Sequence, residues 1–195
     1  LLLDCRHITS ETRPIEEGIH VAICGTRAKR ELTGSEYADR RAQCEEGVRD
    51  LQKRFPQILA LRDANLDQLA ACQAEMSPLV AKRCRFIIAE NQRVLDIATA
   101  FEQGDFDQIG QLSLASFEGA RDLYEISCLE MERMMDAMLG APGVIGARQA
   151  GAGFGGCMVA FVRDGHDAAF SEHIREQYAA STGIQAEIYP VQAAP

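Results

Sequence analysis

The chain has 195 residues, a net charge of −9, and 47% hydrophobic and 25% charged residues, ordinary values for a globular protein long enough to bury roughly 70% of its unfolded surface. With that charge no basic face offsets phosphate repulsion, which argues against nucleic acid or an acidic membrane as partner; no apolar run reaches the roughly 18 residues of a membrane span, and none has the order of a secretory leader. Seven cysteines at wide, irregular spacing, with no C-x-x-C, signal neither a disulfide framework nor a zinc site and read as reduced thiols of a cytoplasmic protein.

The bare apolar start Leu1-Leu2-Leu3 implies that the chain begins partway through something larger. A strand is expected over residues 1–6 and a second over 19–24, separated by a turn-prone stretch over 9–18 that contains Pro14. Gly34-Ser35 opens a helix running to about residue 54, with Ser35 as N-cap and Tyr37, Cys44, Val48 and Leu51 on one face. The mixed charges on its other face read as a solvated surface. Asn65 caps a helix over 66–75, and Ser77-Pro78 opens a long one that stops at Gly104. Asp105 caps 106–119 and Ser127 caps 128–139, whose Met131, Met135 and Met138 form a core stripe. Strands over 144–150 and 157–162, a helix over 166–180 and a strand over 184–189 complete the chain. This order predicts an α+β fold with helices packed on one face of a largely antiparallel sheet. His7, His20, His166 and His173 share no spacing, so no metal site and no general base is expected among them.

Between the last two predicted hairpin strands lies Gly151-Ala152-Gly153-Phe154-Gly155-Gly156-Cys157. Glycines at this density allow backbone to approach backbone, or a ligand, where a Cβ would collide. The run satisfies G-x-G-x-x-G, but a strand follows it where a dinucleotide site requires a helix. The chain has no Gly-Lys-Ser/Thr, no H-R-D and no D-F-G, so neither a P-loop nor a protein-kinase loop is read here. A tight hairpin and a ligand-facing loop both remain open on the bare pattern.

Leu2-Leu3-Asp4-Cys5-Arg6, then Gly34-Ser35-Glu36-Tyr37 running through Arg40-Arg41-Ala42-Gln43-Cys44-Glu45-Glu46, then the glycine run occur in this order. Together with Asp122-Leu123-Tyr124-Glu125-Ile126-Ser127-Cys128 and Pro142-Gly143-Val144, they resemble the C-terminal portion of the galactokinases, members of the GHMP small-molecule kinase superfamily. The glycine run resembles the superfamily's third motif.

The resemblance implies ATP-dependent phosphorylation of galactose at its anomeric hydroxyl, with ATP and Mg held mainly by an N-terminal half whose motifs do not occur here. It implies that residues 1–17 belong to that missing N-terminal kinase domain and 18–195 to the GHMP kinase C-terminal domain. No catalytic residue is expected in this chain, and the chain by itself is expected to be inactive. Tyr37 matches the tyrosine that contacts the sugar; Gly151, Gly153, Gly155 and Gly156 match the active-site glycine loop. Two departures leave the exact sugar open: Gln149-Ala150 stand where Met-Thr is usual, and Gly25-Thr26-Arg27 where an Asn-rich stretch is usual. Arg27, Lys29 and Arg30 fit a solvated turn better than a phosphate contact. Without its other half, the strand over 1–6 is expected to self-associate through a bare edge or to be disordered. A non-catalytic sugar-sensing or interaction module on the same scaffold, or a related kinase for another sugar, stands as the alternative.

Overall fold

In β3 (Ile19–Gly25) the side chains of His20, Ala22 and Cys24 are buried while Ile19, Val21 and Ile23 are half covered, the two-residue period of a strand with one face against a core. The structure, a computed structural model, describes residues 1–13, 17–28 and 36–191. β5 (Cys157–Arg163) repeats the alternation, and pairing places Ala22 opposite Ala160 and Cys24 opposite Met158. With β4 (Val144–Gln149) and β6 (Glu187–Val191) they form a sheet in the order β4-β5-β3-β6, antiparallel throughout.

Small residues on the buried face leave room for two helices, α5 (Leu129–Leu139) and α6 (Asp167–Thr182). Met131, Met134, Met135 and Met138 of α5 and Phe170, Ile174 and Tyr178 of α6 pack on Ala22, Ala147, Ala160 and Val162. Each such apolar side chain contributes about 1.5–3 kcal/mol by leaving water. The fold is thus α+β with an antiparallel sheet, as the pattern predicts, and α5 and α6 cover one of its faces. A second cluster joins α1 (Glu36–Gln52), α2 (Leu66–Cys72) and α3 (Pro78–Gln103) through Leu51, Leu69, Val80 and Cys84. α4 (Phe106–Gly119) adds Phe117 to the first core.

Capping chemistry sets most helix limits. Asn65 accepts from the Gln68 N–H in a capping box, Asp105 accepts from the Gln108 N–H, and Gly104 ends α3 at φ +60°. Ser127 departs from expectation: its hydroxyl donates to the Cys128 carbonyl at 3.4 Å, and Cys128 is the N-cap of α5. Ser77 precedes Pro78 as read, yet its hydroxyl makes no cap bond. The proposed cap Ser35 lies outside the described residues, as do Pro14, Lys29 and Arg30.

The stretch expected as a turn holds β2 (Thr9–Glu11), which pairs with β1 (Leu2–Asp4) in a separate two-stranded sheet. β-branched Thr9 supplies strand propensity that the turn reading underrated. Ion pairs tie this hairpin to the helices: Arg6 to Asp63 and Arg62 to Asp4, each at 2.7 Å, and Arg13 to Glu102.

Candidate functional site

α1 buries Leu51 and Gly47 inward, which leaves Tyr37, in its first turn, 67% exposed. Tyr37, Arg41, Cys44, Glu45 and Val48 recur at helical spacing on one face, where they line a hollow of about 480 Å³. Leu59, Ala60, Leu61 and Arg62 form a second wall, Ile87 and Asn91 of α3 a third, and Tyr124 closes it. That volume lies within the roughly 300–1,000 Å³ of small-molecule sites.

The charges of this hollow are already paired: Arg41 with Glu45 at 2.9 Å and Arg62 with Asp4 at 2.7 Å. Tyr124 stacks on Phe86 with ring centroids 5.0 Å apart, and its hydroxyl lies 3.6 Å from Cys44 Sγ. Burial first, then the Cys44 contact, pushes the Tyr124 phenol above its ordinary range, and burial raises the Cys44 thiol too. Both groups are therefore protonated at neutral pH. They can orient a ligand by hydrogen bonding but cannot take its proton.

The glycine loop between β4 and β5 is built from backbone in the left-handed half of conformational space. Gly151, Gly153, Gly155 and Gly156 all have positive φ, and so does Phe154 between them. Two of its amides are engaged internally: Phe154 N–H donates to the Ile126 carbonyl at 2.7 Å and Gly155 N–H to Met131 Sδ at 3.1 Å. The Gly156 carbonyl accepts both the Thr26 N–H, at 2.9 Å, and the Thr26 hydroxyl, at 2.8 Å. Thr26 is fully buried, and its own carbonyl accepts from Tyr178 Oη at 2.6 Å. The departure Gly25-Thr26-Arg27 therefore clamps the loop. Arg27 is exposed at φ +52° and lies 3.7 Å from Glu187. Gln149 is buried at the foot of the loop, and its Oε1 has no hydrogen-bond partner among the described residues.

Residues 97–180 match the family model of the GHMP kinases C terminal domain. The chain carries a GHMP kinase C-terminal domain. The crystal structure of Lactococcus lactis galactokinase complexed with galactose is similar over 97% of this chain and 49% of its own, at 31% identity and a TM-score of 0.90. The present chain thus spans about half the length of that relative. L. major mevalonate kinase in complex with R-mevalonate aligns over 93% of this chain and 45% of its own, with 18% identity and a TM-score of 0.52. Streptococcus pneumoniae phosphomevalonate kinase aligns over 89% and 41%, with 13% identity and a TM-score of 0.50. The last two show a shared fold.

The hollow that Tyr37 lines contains none of the four loop glycines. The two are joined through side chains: Phe154 packs on a cluster of Phe86, Ala120 and Ile126 that Tyr124 and Ile87 also touch. Tyr124 and Cys44 lie in motif segments of the sequence, yet nothing in the pattern singled out their side chains as a wall. His20 is buried, with Nε2 at 2.6 Å from Asp167 and Nδ1 at 3.4 Å from Asp164. Its nitrogens face separate carboxylates. No helix among the described residues is long and apolar enough to cross a membrane.

Proposed function

We propose that the chain is the C-terminal part of a galactokinase-like sugar kinase, which phosphorylates galactose or a related sugar at the anomeric hydroxyl with ATP. The single observation behind this reading is the 31% identity and TM-score of 0.90, over 97% of this chain, with a galactokinase complexed with galactose. Tyr37 reaches the sugar from the rim of the hollow, where an exposed tyrosine offers an apolar ring and a polar tip. The glycine loop does not line that hollow; it meets it through Phe154, packed on the Phe86–Ile126 cluster that Tyr124 also touches. Residues 18–195 form the C-terminal domain, and residues 1–17 belong to an N-terminal kinase domain.

Phosphoryl transfer rests on positioning and charge neutralisation, and the described residues supply the first. A phosphate cradle needs backbone N–H groups aimed outward; in this loop those of Phe154 and Gly155 point to Ile126 and Met131. Those two amides are thus not free for a phosphate, and we assign ATP and Mg mainly to the N-terminal half. The protonated Tyr124 and Cys44 offer no base for the attacking hydroxyl; the chain by itself is expected to transfer no phosphate, because the nucleotide-loop and catalytic motifs do not occur in its sequence.

The test is ADP release with a panel of sugars and the complete protein that contains this chain. Sugar-dependent turnover is expected, and Tyr37→Phe should raise the sugar KM by up to roughly tenfold, the effect of one lost hydrogen bond of about 0.5–1.5 kcal/mol. Because Tyr37 is 67% exposed, its thermal midpoint should stay where it was. Sugar binding without turnover in the complete protein would replace the kinase by a sugar-sensing module.

A further inference from the structure

α4 runs on into a π-helical turn, Ala120–Tyr124, which ends at Glu125 with φ +56° and ψ +55°. Carbonyls at a helix C-terminus lack partners within the helix and favour cations. Here four in succession are accounted for. Leu123 O accepts from Arg83 Nη1 at 2.5 Å, Tyr124 O from Arg40 Nε at 2.6 Å, and Glu125 O from Arg40 Nη2 at 3.0 Å. The fourth, Ile126 O, accepts from Phe154 of the glycine loop at 2.7 Å.

Arg83 is 1% exposed. Its Nε and Nη2 reach Gln43 Oε1 at 3.0 Å and Glu125 Oε2 at 2.6 Å, while Lys82 holds the other Glu125 oxygen at 2.9 Å. A guanidinium buried to this degree, with each of its three nitrogens engaged, does not serve a ligand and acts through what it holds. The turn it holds carries Tyr124, a wall of the hollow, and Ile126, the seat of the glycine loop. Arg40 stands three residues after Tyr37 on α1, so the same contact ties the helix bearing Tyr37 to that turn. π-helical turns are costly and recur at functional sites, and a left-handed glutamate needs surrounding structure to persist.

We propose that Arg40 and Arg83 are positioning residues of the sugar-phosphorylating cleft: they set the turn over 120–126 so that Tyr37, Tyr124 and the glycine loop keep one mutual arrangement. The proposal rests on the kinase reading above for its cleft, and on hydrogen-bond geometry for its arginines.

The test is Arg83→Lys in the complete protein, because a lysine keeps the charge but cannot span three acceptors with a planar fork. Amide exchange at Phe154 and Gly155 is expected to accelerate about tenfold or more, with the β3 and β5 amides unchanged. Sugar kcat/KM should fall about tenfold at constant nucleotide KM. Unchanged exchange in the loop, or an equal rise in loop and sheet, would overturn the proposal. If Arg83→Lys does not fold, Arg40→Lys, on a side chain 15% exposed, carries the same expectations. Exchange is read without substrate. A protein that phosphorylates no sugar yet shows the local rise therefore loses the kinase reading and keeps the arginine-held turn.

Discussion

Gly153→Ala puts a methyl group where the fold has placed a backbone oxygen. An ideal Cβ at Gly153 lies 2.3 Å from Ile126 O and 2.7 Å from Ile126 Cβ, at φ +84°. That oxygen also accepts the Phe154 N–H at 2.7 Å, so it cannot move aside without breaking a second contact. The left-handed backbone costs an alanine about 1–2 kcal/mol, and forcing the two segments apart costs about 1–3 kcal/mol, as in overpacked cores. Stiffening the unfolded chain returns about 0.4–1 kcal/mol, for a net loss of about 1–5 kcal/mol, centred near 3. Gly151 is the control: its φ is +74°, but nothing lies within 4 Å of its ideal Cβ, so Gly151→Ala should cost only about 1 kcal/mol. Urea unfolding followed by far-ultraviolet circular dichroism separates the two. With a slope of about 2–3 kcal/mol/M, a gap of about 2 kcal/mol moves the midpoint by about 0.7–1 M. Equal midpoints for the two variants would refute the close approach of the loop to Ile126.

Gly47 offers a parallel case, with an ideal Cβ 2.0 Å from Cys84 Sγ. Gly47→Ala gains about 1 kcal/mol of helix propensity but overpacks the α1–α3 contact by about 1–3 kcal/mol. The double variant with Cys84→Ala should recover stability in a thermal-unfolding cycle, and simple additivity would contradict that. Glu125 is held at about 2, below its ordinary 4.5, by hydrogen bonds from Arg83 first and Lys82 next. A depressed carboxylate contributes stability above its ordinary value and loses it as pH falls through the folded one, here from about 4.5 to about 2. Glu125→Gln should thus lose less stability than the unmutated protein between pH 6 and pH 3 in urea titrations; parallel losses would show that the carboxylate contributes nothing there. Burial pushes the Cys24 and Cys84 thiols up to about 12, whereas Cys5 is exposed. Iodoacetamide near pH 8, followed by peptide mass spectrometry, should label Cys5 first, and early labelling of Cys84 would contradict its burial.

Helix limits were legible in the sequence wherever the signal acts over three or four residues. Asn65 bonds to Gln68 and Asp105 to Gln108, each at 2.9 Å, and those pairings need no tertiary partner. The same holds for the alternation of β3 and β5, since one buried face forces a period of two. Ser127 misled because a serine before an apolar run looks like a cap, whereas its hydroxyl found the Cys128 carbonyl. β2 was missed because a three-residue strand offers too little pattern to outweigh nearby turn residues.

The chain's residues alone determined the order of the main helices and of the four strands of the larger sheet, a glycine loop that accepts positive φ, and Tyr37 at the head of a helix, since each follows from local sterics or periodicity. Tertiary structure alone decided that the amides of Phe154 and Gly155 turn inward to Ile126 and Met131, and that α4 overruns into a π turn. Arg40 and Arg83 hold that turn from 84 and 40 residues away. Contacts of such separation leave no periodic trace, because the charge that satisfies a carbonyl can come from any segment the fold brings beside it.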